Sequence, residues 1–500
     1  MKSSWVDRHD PSRIPTSVMP SRGDHIDVAI AGAGLAGLAT AVLLARAGRR
    51  VVVLEARSVG AVTTGASTAK VSLLQGTRLS TIRRQHGPQA VAAYVAASRE
   101  AQDWLREFCG GHEVPLQTRS AHTYATSPRG ASRLREEAEA SREAGLPVRL
   151  GTDSELPMPV TSCLSLEGQA QLDPMELLTA LAIELDALGG VLVEGARLTA
   201  AGSRSPLELE TTRGALRADH LVLATGVPVL DRGAHAARLE PHRSGVLTAR
   251  PRPGAWLPEG MHVSAEGDGR TVRSVPTPEG PLLLAGGADH ITGRSASPAA
   301  GLQELERWAL SLSPGAEITH RWAAQDYVPA GALPLVGPLP GAEGRVLAAT
   351  GFAKWGMTGA VAAAMACTGL IVGTVPPWHA ELEQARSRAG ALLPAAELLA
   401  GTGAAAARGW AGGELRALPE APPAEGEGQV GRREGRPTAV STVAGRRCAL
   451  SAVCPHLGGI VRWNDAELTW DCPLHGSRFA ADGTLLEGPA VRGLDPLEER

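Results

Sequence analysis

Lysine is nearly absent from this 500-residue chain: only Lys2, Lys70 and Lys354 occur, and arginine carries almost all the positive charge. A lysine kept inside a motif is therefore informative, because such a site asks for a compact ammonium and not a guanidinium fork. Charge of one sign is also lacking, since 49 basic residues against 52 acidic ones leave a net charge of -3. No basic field exists to hold a phosphate backbone by counterion release, so nucleic-acid binding is not expected. Cysteine is scarce. Cys109, Cys163, Cys367, Cys448, Cys454 and Cys472 are too few and too scattered for a disulfide framework, and a reducing, cytoplasmic setting is the expectation. Long apolar runs are missing too. The stretch Gly359 to Gly373 falls short of the roughly 20 residues that span a bilayer. Rich in Gly and Ala, it reads as a buried helix, so no membrane insertion is expected. Residues 1–24 offer neither an apolar h-region nor a small-residue cleavage site and read as a disordered leader.

Five hundred residues with 43% hydrophobic content exceed one core, which leads to an expectation of several domains. No repeat of 20–50 residues is visible. Composition shifts near Glu381, and residues 379–429 read as a linker, helical at first and then rich in Gly, Pro and Glu. Residues 430–500 have a different grammar: short runs such as TAVSTV, CALSAV and GIVRW lie between Gly, Pro and Asp turns. That pattern suggests a small all-β module behind a large α/β body.

The body opens with an apolar strand from Asp27 to Ile30, then Gly32-Ala33-Gly34-Leu35-Ala36-Gly37, a helix of small residues, and a second strand ending at Glu55. Gly32 permits the tight turn, Gly34 lets backbone approach a pyrophosphate at a helix N-terminus, and Gly37 lets helix and strand pack closely. Glu55 is placed to accept hydrogen bonds from an adenosine ribose. With strand, helix and acidic residue all in position, the segment reads as dinucleotide-binding. Two later segments favour FAD: the apolar strand ending in Ala224-Thr225-Gly226, and Gly351-Phe352-Ala353-Lys354-Trp355-Gly356-Met357-Thr358 leading into the apolar helix. A helix N-terminus there would aim unpaired N–H groups at an acceptor atom, such as the flavin pyrimidine carbonyl edge. No second glycine-rich fingerprint for a nicotinamide nucleotide is visible.

These motifs, with Thr64 to Lys70 and Gly168 to Pro174, resemble the D-amino-acid oxidase/glycine oxidase/sarcosine dehydrogenase-like family of FAD oxidoreductases over about residues 25–378. Thr68-Ala69-Lys70 and Phe352 to Met357 are similar to a bacterial subgroup that carries a C-terminal Rieske domain. The resemblance implies a Rossmann-like FAD-binding domain of the two-dinucleotide type, from segments 25–76, 166–240 and 328–378. It also implies an α+β substrate domain from 77–165 and 241–327. By the same similarity, Ser67, Thr68, Ala69 and Lys70 would line the FAD, and Leu198 would present its backbone to the adenine.

The appendage carries Cys454-Pro455-His456 and, after fifteen residues from Leu457 to Asp471, Cys472-Pro473-Leu474-His475. Each of two loops supplies one thiolate and one imidazole, as required by a [2Fe–2S] cluster held by Cys₂ on one iron and His₂ on the other. Zinc is the competing reading, but zinc knuckles usually pair their thiols in one CxxC element and their histidines in another. Gly488-Pro489 resembles the Pro loop that covers Rieske clusters. Many relatives carry an extra cysteine in each binding loop, joined in a disulfide; here Gly459 and Leu474 stand at those positions. Ser477 matches a residue that donates a hydrogen bond to the cluster in high-potential relatives, whereas Phe479 replaces their tyrosine. One donor fewer implies a lower potential.

Arg273, Arg321 and Tyr327 are candidates to orient a substrate carboxylate, and Lys354 with Arg273 would be the catalytic pair. The reading is an FAD-dependent dehydrogenase of a C–N bond in an amino acid or secondary amine. Hydride would pass to flavin, and single electrons would leave through the Rieske cluster to an unknown one-electron protein partner. Two alternatives stand beside it: a flavoprotein reductase or hydroxylase fed by the cluster, and a non-catalytic redox sensor.

Overall fold

A computed structural model describes residues 1–230, 235–387, 392–415, 417–419 and 421–497. Parts of the expected linker (388–391, 416 and 420), of the expected FAD-binding segment 166–240 (231–234) and of the C-terminal module (498–500) lie outside the described residues.

The first sheet runs in the order Leu335–Pro338, Val346–Thr350, Gly214–Leu223, Ile26–Ala31, Val51–Leu54, Val191–Val193. Ile26–Ala31 sits at its centre, parallel to both neighbours. Its Val and Ile side chains are fully buried, as expected for a strand covered on both faces. Helix Leu35–Arg46, built of Ala, Leu and Gly, packs against helices Pro174–Ala187 and Gly356–Val372 on one face. Small residues let these backbones come close. A second sheet of nine strands runs from Glu317–Pro329 through Leu239–Arg250, Leu282–Ile291, Thr271–Val275, Met261–Ser264, Leu116–Ala125 and Ser162–Leu172 to Lys70–Val71, with Arg149–Gly151 also paired to Ser162–Leu172. Lys70–Val71 and Ser162–Leu172 thus belong to the second sheet, although the segment boundaries drawn from sequence put Lys70 and most of 162–172 with the nucleotide-binding sheet. The C-terminal module has a three-stranded sheet (Gly428–Arg433, Arg436–Val443, Arg446–Ser451) and a four-stranded one (Arg462–Asn464, Thr469–Asp471, Arg478–Ala480, Leu485–Glu487).

Two expectations need correction. The leader is not disordered: Ser4–Arg8 is helical, Trp5 is buried, and its indole N–H donates to the Ser67 carbonyl at 2.8 Å. One tryptophan in a polar segment suffices to anchor it, because its large apolar surface and its N–H both find partners in the body. The linker is not a spacer either. Helix Leu392–Leu415 lays Ala405 into the core of the C-terminal module, and Trp410 donates to the Gly458 carbonyl at 3.0 Å.

Buried charges meet where the module contacts the body, and Arg243 is the body's member of the group. Arg243, in Leu239–Arg250, pairs with Glu467 and lies 3.4 Å from Glu487; Arg478 pairs with Asp471, Glu467 and Glu487. Burial alone would raise the Glu467 carboxyl, but the two guanidiniums hold it down to about 2. Among the described residues, no single helix is long and apolar enough to cross a membrane.

Candidate functional site

Gly32 adopts φ +104°, and a Cβ there would sit 2.5 Å from the Ala224 carbonyl oxygen, so only glycine fits the turn. Gly37 is just as constrained, since its Cβ would lie 1.8 Å from the Gly32 oxygen. Gly34 differs: its Cβ would meet only the Thr64 hydroxyl, at 3.2 Å. It has no side chain to cap the helix starting at Leu35, whose first N–H donates to the Thr64 hydroxyl at 3.1 Å, and Gly34, Leu35 and Ala36 at this helix start line the cavity. The buried Glu55 carboxylate accepts from the Ala33 and Arg57 N–H groups, each at 2.8 Å. Burial raises its pKa, and those two bonds oppose the rise.

A cavity of about 480 Å³ opens in front of this loop. Of the sequence candidates, Gly32, Gly34, Leu35, Ala36, Glu55, Ser67, Thr68, Lys70, Leu198, Ala224, Thr225 and Gly226 line it, as do Phe352, Lys354, Trp355, Gly356 and Met357. Gly37, Ala69, Gly351 and Thr358 stand behind the wall. Ala69 donates its N–H to the Ser67 hydroxyl at 2.9 Å, and the Thr358 hydroxyl accepts from Gln75 at 3.2 Å. Gly351, at φ +78°, turns the chain between strand and helix. Helix Gly356–Val372 begins beside the cavity with no side-chain cap at Trp355. The cradle that a Gly34 side chain would enter, the two helix N-termini that line the cavity and the Glu55 carboxylate fit an FAD.

The two cavity lysines differ. Lys70 is buried, and its Nζ donates to the hydroxyls of Thr68 and Thr271, both at 2.8 Å. Burial, aided by nearby Arg273 and Lys354, pushes its pKa well below the usual lysine range. Lys354, at φ +73°, pairs with Asp289 at 2.9 Å. Arg273 is not a substrate ligand. It is 1% exposed, all three of its guanidinium nitrogens donate to the carbonyls of Thr68, Ser274 and Leu172, and it lies over the Trp5 ring. Arg321 faces solvent and pairs with Glu306. Tyr327 does line the cavity.

Sequence reasoning missed Asp289, which also holds the Ser244 hydroxyl and His242. It missed a cluster of His122, Glu155 and His262 as well. The two imidazoles stack in nearly parallel planes, 12° apart with centroids at 4.7 Å. One ion cannot lie in the planes of two stacked rings, so the cluster is structural, with Glu155 accepting from His262 and from two backbone N–H groups.

In the C-terminal module, the Cys454–Gly459 and Cys472–Ser477 loops face each other. Each folds back on itself through Cys454 N–H to Gly459 O and Cys472 N–H to Ser477 O, both 2.8 Å. The rings of His456 and His475 stand edge to face at 5.1 Å. The N–H groups of His456 and Leu457 point at the Cys454 sulfur, and those of Leu474 and His475 at the Cys472 sulfur. Two sulfurs, two imidazoles and converging N–H donors suit a cluster whose sulfurs carry negative charge. A Cβ on Gly459 would lie 2.8 Å from the Leu474 side chain and 2.9 Å from the Cys472 sulfur, so this position is closed to a side chain.

Ser477 keeps its hydroxyl near Cys454 and accepts from the Ala490 N–H at 3.0 Å, whereas the buried Phe479 has no donor. Phe479→Tyr is expected to raise the cluster potential. A hydrogen bond to a charged group is worth about 1.5–3 kcal/mol, which for one electron converts to roughly 65–130 mV. Redox titration of the cluster's EPR signal in the full-length holoprotein reads the shift. An unmoved potential removes the missing hydroxyl as its cause.

Residues 27–370 match the family described as FAD dependent oxidoreductase, and residues 417–498 match the Rieske [2Fe-2S] domain. The Bacillus subtilis (strain 168) protein YhfW, named for a Rieske 2Fe-2S centre, is 30% identical over 482 residues, covering 94% of this chain and 93% of its own. Among solved structures, L-proline dehydrogenase from P. horikoshii superposes with a TM-score of 0.60 at 16% identity, over 73% of this chain and 98% of that one. Glycine oxidase from Geobacillus kaustophilus gives 0.59 at 21% identity, over 71% and 96%. Zinc in the C-terminal loops is thereby set aside. The chain belongs to the FAD-dependent oxidoreductase family of D-amino-acid oxidase type, carries a C-terminal Rieske domain, and uses FAD and a [2Fe–2S] cluster as its cofactors.

Proposed function

We propose that the protein dehydrogenates a C–N bond of an amino acid or secondary amine and passes the electrons singly through its Rieske module to a one-electron acceptor protein. The observation that carries this reading is the shared cavity: Leu486, Glu487 and Gly488 of the module line the same space as the glycine-rich loop and Lys354. When bound, FAD supplies a two-electron hydride acceptor and the cluster a one-electron relay. The residues around the cavity supply the rest. Lys70 Nζ, driven toward its neutral form by burial, can take the proton that an ammonium substrate must lose before hydride leaves. Lys354 offers an ammonium to a substrate carboxylate, and Asp289 fixes where that ammonium stands. The folds that superpose on the body include a proline dehydrogenase and a glycine oxidase, which supports an amine or amino-acid substrate. Cys109, Cys163, Cys367 and Cys448, the cysteines outside the cluster loops, are unbridged, which supports action in the reducing cytoplasm.

The test is anaerobic mixing of the oxidised holoprotein with glycine, L-proline, sarcosine and other secondary amines, with no external donor present. Bleaching of the flavin absorbance, followed by the EPR signal of a reduced cluster, is expected for one of them. Inertness toward the whole panel, with flavin reduced only when electrons are fed to the cluster, would instead establish the reverse direction of flow.

A further inference from the structure

Strand Glu317–Pro329 puts Ala324, Asp326 and Tyr327 in the cavity wall, and its Gln325 and Tyr327 side chains reach the loops of the module. Tyr327 lines the cavity and is 5% exposed. Its hydroxyl accepts from Gln325 Nε2 at 2.9 Å and reaches the carbonyl of Gly488 at 3.4 Å. Gln325 Nε2 also donates, at 2.9 Å, to the carbonyl of Gly476, the residue after the ligand His475. Its Oε1 accepts from Thr292 at 2.9 Å, which fixes the amide orientation. One buried phenol and one buried amide therefore connect the cavity wall to both the second ligand loop and the Pro loop.

The surroundings keep this bridge short. A Cβ on Gly476 would lie 2.5 Å from the Pro241 side chain, and one on Gly293 would lie 2.8 Å from the Pro473 nitrogen, so body and loop backbones meet without intervening side chains. Arg294 Nε donates to the Pro473 carbonyl at 2.9 Å. The buried Arg243, Glu467, Arg478 and Glu487 network closes the far side of the contact. Separating the module would break the two pairs that Arg243 makes with Glu467 and Glu487 and pull apart the close backbone contacts at Gly476 and Gly293, while Arg478 keeps its partners within the module.

Resting on the electron flow read above, we propose that Tyr327 and Gln325 form the bridge through which electrons cross from the flavin cavity to the cluster loops, with the module fixed in place and not swinging between partners. The step is one electron at a time: an electron leaves reduced flavin, one ferric iron of the cluster becomes ferrous, and a one-electron acceptor protein takes that electron onward before the next follows. Bonded and hydrogen-bonded contacts carry a tunnelling electron better than an open gap, so the phenol hydroxyl is the junction of the route.

The test uses full-length holoprotein under anaerobic conditions with EDTA and a brief light pulse, so that photoexcited flavin takes electrons from EDTA and they enter at the flavin. Rapid freeze-quench EPR then follows the cluster's reduction in the dark. Tyr327→Phe keeps the ring and removes the hydroxyl, and Gln325→Leu removes the amide. Each is expected to slow cluster reduction roughly tenfold or more, since rates between positioned groups fall steeply with small displacements. FAD occupancy, the EPR line shape and both midpoint potentials should stay as in the wild type, which a merely structural defect would not allow. Unchanged rates in both variants overturn the bridge while leaving the flavin-to-cluster reading intact. Absence of transfer in the wild type overturns that reading, and the bridge with it.

Discussion

Cys454→Ser or His475→Ala abolishes the Rieske EPR signal while FAD stays bound. Each substitution takes away one of four ligands, and neither a serine hydroxyl nor an alanine methyl replaces a thiolate or imidazole on iron. Retention of FAD follows from where its cradle comes from. Gly32, Gly34, Glu55 and the N-terminus of Gly356–Val372 all belong to the body. The module also has its own apolar core, in which Cys454 and Cys472 are packed with Trp470, Phe479, Leu450 and Val461; the ligand histidines stand outside it, and serine at 454 nearly keeps the cysteine's volume, so this core is expected to survive loss of the cluster. The docking bonds of Arg243 and Gln325 engage Glu467, Glu487 and the Gly476 backbone, none of which is substituted. The measurement is EPR of the dithionite-reduced protein beside the flavin absorbance of the same sample. Equal loss of flavin would show that Leu486 to Gly488 must close over the cavity before FAD is held, making body and module one folding unit.

Legibility in the sequence tracked the separation of the partners. The nucleotide loop could be read because turn, helix start and second strand are consecutive, so that Gly32, Gly34, Gly37 and Glu55 carry their geometry in their spacing. The cluster ligands could be read because each loop brings its thiolate and imidazole within a few residues. Arg273 could not. It looks like a carboxylate fork until the carbonyls of Thr68 and Leu172, 205 and 101 positions away, occupy it. The same holds for the Arg243 to Glu467 pair, 224 positions apart, and for Trp5, whose partner is the Ser67 carbonyl. Composition showed helix only as far as Ala400, so the rest of Leu392–Leu415 was not legible, and neither were Ile460 and Gly458, the partners that make it part of the module. Asp289 gave no signal at all, since an acidic residue in a polar strand end is ordinary until a lysine from position 354 meets it.

Gly34→Val prevents FAD retention without unfolding the body, and the three glycines of the loop separate these two effects. At Gly32 a side chain meets the Ala224 carbonyl at 2.5 Å, with a backbone φ of +104° that valine avoids. At Gly37 it meets the Gly32 carbonyl at 1.8 Å, so substitution at either site breaks the contact between helix and strand before any cofactor is considered. Gly34 has an ordinary extended backbone, φ -84° and ψ -175°, and its Cβ would touch only the Thr64 hydroxyl at 3.2 Å. The apo fold tolerates that contact with a small shift of one side chain. What a valine there would occupy is the cavity-facing space at the N-terminus of Leu35–Arg46, through which a pyrophosphate approaches the helix's partial positive charge. Loss of that approach is expected to lower FAD affinity by at least about a hundredfold, or roughly 2.7 kcal/mol. Flavin release from the purified variant, followed by titration with FAD and monitored by fluorescence quenching, measures it, and circular dichroism checks the fold. A folded variant that retains a full complement of FAD would show that the pyrophosphate does not lie against this loop.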